Sequence, residues 1–169
     1  MNKESGIAKI IRTITVAPIM ALVMLSILYG VRPDIFQGIS HYVLSIVFLT
    51  ILPLSAYPLQ PFLPKFCNKG REGQRNLAIM MAVLGYLAGI VSVIFFHAQK
   101  ELLLIYLAYF ISGIGILFLN KIIKIRASGH ACGVAGPIAI LTYFIGVKAL
   151  LGAIVIVPVY WSSLKMKRH

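Results

Sequence analysis

The chain alternates long stretches that carry no charged side chain with short polar breaks. Uncharged stretches run from Thr13 to Val31, Ile35 to Pro64, Asn76 to Gln99 and Leu102 to Asn120. After Arg126 the next charge is Lys148, and after that Lys165. A helix that crosses a bilayer needs about 20 apolar residues. The pattern therefore predicts four full spans and then two shorter ones, an all-α, polytopic transmembrane bundle of about six helices. Lys3, Lys9 and Arg12 precede the first stretch as they would in a secretory leader. The uncharged run that follows is longer than the apolar segment of a leader, and further runs come after it, so it reads as a retained span.

The breaks carry turn chemistry. Arg32-Pro33-Asp34 separates the first two runs, and Pro61 to Gly73, rich in Pro and Gly, separates the second from the third. Within the second run Pro53, Pro58, Pro61 and Pro64 constrain the backbone. Its helix is expected over about residues 40 to 59, kinked or frayed near Pro53, where a ring replaces the N–H. No repeat and no second domain is visible. Residues 1–169 read as one transmembrane domain, with the polar chemistry concentrated in 120–169.

Composition sharpens this. Hydrophobic residues make up 60% of the chain and charged residues 12%, against about 25% charged in soluble domains. Charge this sparse does not coat a globule, so much of the surface meets lipid. The 16 Lys+Arg against 4 Asp+Glu give a net charge of +12, which raises nucleic acid as a partner. Their placement argues against it, because the bases sit in clusters between apolar runs, as they do beside anionic headgroups. With the N-terminus in the cytoplasm, Lys3, Lys9, Arg12, Lys65, Lys69, Arg71, Arg75, Lys121, Lys124, Arg126, Lys165, Lys167 and Arg168 fall inside, and only Arg32, Lys100 and Lys148 outside. That asymmetry fits the positive-inside rule and predicts an integral, multi-pass protein with a cytoplasmic N-terminus. Cys67 and Cys132 are too few for a disulfide framework and read as free thiols.

Two polar clusters carry the candidate chemistry: Lys121 to His130, and Trp161 to His169. A single straight helix between them would hold them about 45 Å apart. Two short antiparallel helices turning near Gly146-Val147-Lys148 would bring them together, and Lys148 favours the turn because a charge at mid-bilayer is costly. His130 and His169 would then meet at one membrane face among Lys and Arg. Phosphoryl transfer needs such a ring, since charge spreads over three oxygens and catalysis is mainly positioning and electrostatics. Ser128 and Gly129 open a helix, whose free N–H groups form an anion site. Two histidines allow one to attack phosphorus and the other to protonate the leaving oxygen. The four acidic residues are scattered, so a metal-free mechanism is favoured, and the two-histidine chemistry needs no cofactor.

Ala127-Ser128-Gly129-His130 resembles the Pro-Ser-Gly-His signature of the type 2 phosphatidic acid phosphatase family, whose site is shared with vanadium haloperoxidases. Ser162-Ser163, five residues and then His169 resembles that family's Ser-Arg, five residues, His signature. The resemblance implies a membrane-embedded phosphatase acting on a lipid or polyprenyl phosphate through a phosphohistidine. His169 would be the nucleophile and His130 the acid, with Lys121, Lys124, Arg126, Ser128, Gly129 and Ser162 around the phosphate. Ala127 stands where the family has proline and Ser163 where it has arginine, and the family's first motif, Lys, six residues, Arg-Pro, has no match. The position three residues past the nucleophile, an aspartate in the family, falls beyond His169.

The rival reading keeps the basic pocket without the chemistry, as a non-catalytic lipid-phosphate binder or a small transport or assembly subunit. Sidedness divides the two lines of argument. Base counting puts the site on the cytoplasmic face after four spans, whereas the resemblance implies three spans and an outward-facing site. Gly129, Gly133 and Gly136 also predict a close helix-packing face.

Overall fold

The computed structural model describes residues 14–123 and 129–155. All regular structure among them is helical. Helix α1 is Ala17–Val31, α2 is Ile39–Phe62, α3 is Gly70–Phe95, α4 is Lys100–Lys121 and α5 is Gly129–Ile145. A 3-10 segment, Val147–Val155, follows α5.

Helix α1 starts where Pro18 occupies the first turn, a position at which its missing N–H costs nothing. Ala21, Met24, Leu25 and Leu28 recur at helical spacing and are fully buried, so they define the inward stripe of α1. The break after it is closed by Arg32, which donates to Asp34 at 2.8 Å, and by a 3-10 turn over Pro33–Phe36. Gly38, at φ 155, lets the chain re-enter a helix where a Cβ would be strained. Tyr29 stacks on Tyr42 at 4.3 Å, and Phe36 stands edge-on to both, which ties the turn to the first two helices.

Helix α2 differs from its expected form. It runs from Ile39 to Phe62 without fraying at Pro53. The strain is absorbed one turn earlier, where Val47–Ile51 widens into a π turn and the Leu52 N–H donates to the Val47 carbonyl. Thr50, in that turn, donates to the Pro18 carbonyl of α1 at 3.2 Å. Gly85 of α3 lies against the Phe48 carbonyl of the same turn, leaving no room for a side chain.

Helices α3 and α4 form an antiparallel hairpin through His97, at φ 52. The Tyr106 ring fills the space where Gly89 lacks a side chain. Its hydroxyl donates to Ser45 at 3.0 Å, and Ser45 donates to the His41 carbonyl at 2.7 Å. Buried side chains of α1, α2, α3 and α4 form one core, which Ile140 of α5 joins. Helix α5 lies on α1, with Gly133 against Ala17. Of the three glycines expected to pack closely, only Gly133 does; Gly129 and Gly136 face open space.

Among the described residues three helices are long and apolar enough to cross a membrane: α2 with 24 residues, α3 with 26, and 20 residues of α4. At 1.5 Å per residue these measure about 30 to 39 Å, enough for a hydrocarbon core of about 30 Å. Helix α1, with 15 residues, and Ala131–Ile145 are apolar but shorter. Only 28%, 28% and 17% of the long stretches is buried, and Val91, Phe95 and Ile111 are among the large apolar side chains left uncovered. Apolar exposure on this scale marks a membrane protein.

Candidate functional site

Alternating helix directions sort the polar residues onto two ends of the bundle. At one end lie Arg32, Asp34, His41, His97, Lys100 and Glu101. There the His41 ring stands edge-on to Phe96 at 6.2 Å, and His97 Nδ1 meets the Phe95 carbonyl at 3.2 Å. The hydrogen bond from Arg32, helped by the Arg32 charge, holds the Asp34 carboxyl below the usual carboxylate range against the opposing effect of desolvation. The same bond, helped by the charges of Asp34 and Glu101, raises Arg32. Arg32 and Asp34 satisfy each other, while His41 packs across to the end of α3 and His97 bonds within its own turn.

At the other end lie the start of α1, the loop between α2 and α3, the last residue of α4 and the first of α5. Lys121 closes α4, and Gly129 and His130 open α5; the side chains of Lys121 and His130 lie outside the described residues. Lys124, Arg126, Ser128, Ser162 and His169 also lie outside them, as does any distance between the two histidines. Gly129 is exposed, and a Cβ placed on it would meet no heavy atom within 4 Å. Among the described residues nothing covers Gly129, and the amides of a first helical turn have no partner within the helix. Just inside, Cys132 is half-buried with Ser112 of α4 as its hydrogen-bond partner. Gly133 on Ala17 fixes α5 against α1.

Helix α5 ends at Gly146, whose φ of 95 turns the chain sharply. The 3-10 segment then packs back along α5, with Gly152 beside Ile138 at 3.8 Å from its Cβ position to Ile138 Cγ1. The reversal falls where the sequence expects it, and Val147–Val155 runs back along α5 in the direction of Gly129.

Sequence reading alone missed Gly85-x-x-x-Gly89. Its spacing, inside an uncharged run, was the available signal for close helix approach. It also missed Gln60 and the ordered loop that follows. Among the described residues no three His, Cys, Asp or Glu side chains come together. None of the family models, curated proteins or solved structures compared with the chain matches it.

Proposed function

We propose that the chain is a multi-pass membrane protein of about six helices with a cytoplasmic N-terminus, and that it hydrolyses a phosphate ester or diphosphate on a lipid or polyprenyl chain. The observation that carries this reading is the reversal at Gly146, after which Val147–Val155 packs back along α5. From Ile138 back to His130 is about 12 Å along the helix. The chain from Gly152 to His169, even wound as a helix, is about 25 Å long, ample to cover that distance.

In this reading the substrate enters sideways from the bilayer, and its phosphate meets Lys121, Lys124, Arg126 and Ser162 beside the amides of Ser128 and Gly129. His169 attacks phosphorus, forming an N–P bond as the P–O bond to the lipid breaks. His130 gives its proton to the departing oxygen, then takes one from the water that cleaves the N–P bond. No cofactor takes part.

Phosphate release from a defined lipid phosphate by the purified, reconstituted chain tests this. Turnover is expected in the parent protein and its abolition in His169→Ala. His130→Ala should slow poor leaving groups more than activated ones, since these need less help from an acid. Chelator should leave the rate unchanged. Binding of lipid phosphate without turnover would instead favour the non-catalytic binder, and full activity in His169→Ala would sink the mechanism.

A further inference from the structure

The segment joining α2 to α3 is a built loop. The Gln60 side-chain amide donates to the Phe66 carbonyl at 3.3 Å and to the Gly70 carbonyl at 2.7 Å, bracing both ends. Gly73 sits so close to the Phe66 carbonyl that a side chain there would collide with it. Gly70, at φ 48, makes the turn into α3.

This braced loop presents two features together. Lys65, Lys69, Arg71 and Arg75 are all exposed, and none has an ion-pair partner among the described residues, although Glu72 stands between them. Phe62 beside them is 82% exposed. Basic residues alone would follow from topology. A large apolar ring held out next to them does not, because water gains nothing from it, whereas a bilayer accepts aromatic rings at its interface. The loop ends two helices of spanning length, which sets it at headgroup level. The amides that open α3 carry no side-chain cap and add donors to the same region.

We infer that this loop is a docking site for an anionic phospholipid: Phe62 enters the acyl boundary while Lys65, Lys69, Arg71 and Arg75 hold the headgroup phosphate. The same charges would suit RNA, but Phe62 favours lipid. The inference needs the membrane reading and is independent of catalysis.

Native mass spectrometry of the full chain in detergent, with phosphatidylglycerol and phosphatidylcholine supplied equally, tests it. The parent protein should retain phosphatidylglycerol preferentially. Each base beside an anionic surface contributes about fivefold, so Lys65→Gln/Lys69→Gln and Arg71→Gln/Arg75→Gln should each reduce the preference at least about fivefold. Lys100→Gln at the opposite end should leave it intact. Raising salt from about 0.1 M to about 1 M shortens the screening length from about 10 Å to about 3 Å and should erode the preference without any mutation. Phe62→Ser should weaken retention of both lipids. The inference is overturned if the parent protein shows no preference, if the double variants keep it, if Lys100→Gln removes it equally, or if an RNA oligonucleotide at matched phosphate concentration displaces the lipid.

Discussion

At the scale of single residues the fold depends on where side chains are absent. Gly85 admits the Phe48 carbonyl and Gly89 admits the Tyr106 ring, so the α2 backbone and an α4 aromatic ring both reach the α3 backbone. Gly115 on α4 has open space around it. Gly89→Ala is therefore expected to destabilise by roughly 1–3 kcal/mol, the range for overpacking. Gly115→Ala should stabilise by roughly 0.5–1 kcal/mol, because alanine loses less backbone freedom in a helix. Thermal unfolding in one detergent checks the pair, and equal effects would contradict the packing. The Arg32–Asp34 pair gives a pH dependence. Asp34 titrates below its ordinary value because Arg32 donates to its carboxylate. The pair's contribution is complete above the ordinary carboxylate pKa of about 3.9 and is lost as pH falls through the lower folded value. Hydrogen-exchange protection in the turn over Pro33–Phe36, corrected for the intrinsic pH dependence of amide exchange, should be constant between about pH 5 and about pH 8 and should fall only in stronger acid.

At the scale of elements, hydrophobic runs mark which segments are helical, and turn residues mark where they stop. The second, third and fourth runs became α2, α3 and α4, and Gly146 before Lys148 became the reversal. What the pattern does not carry is how a helix accommodates its prolines. Runs of apolar residues look alike in α and π geometry, so the widened turn over Val47–Ile51 shows only in the backbone, where Leu52 reaches Val47. Nor does an uncharged run say where its helix begins: Thr13 to Val31 has no charge, yet α1 spans Ala17–Val31, with Pro18 in its first turn. The candidate site was legible only as two motifs on either side of an expected hairpin, one of which lies outside the described residues. A sequence fixes their spacing, whereas side-chain geometry depends on tertiary packing. The hairpin makes its own prediction. Gly146→Val forces a β-branched residue to φ 95, at a cost of roughly 1–3 kcal/mol. Phosphate release should fall with it, while substitution at the neighbouring, exposed Val147 should be neutral.

At the scale of the whole molecule, the proposed topology depends on which end of the bundle faces the cytoplasm. The end with Lys65, Lys69, Arg71 and Arg75 also bears Cys67, and two helices later Cys132 lies just inside α5 at that end. In sealed, right-side-out cells an impermeant thiol reagent should leave Cys67 unlabelled; labelling from outside would reverse the orientation. Cys132, half-buried against Ser112, should react slowly from either side. The central claim, that two histidines from distant parts of the sequence share one phosphate, is tested most directly by trapping the intermediate. The reconstituted protein is mixed briefly with lipid carrying radiolabelled phosphate, then denatured in alkali, which preserves phosphohistidine. The account predicts protein-bound label that acid releases, that maps to His169, and that is absent from His169→Ala. Turnover with no label on the chain, or equal label on His169→Ala, would contradict it.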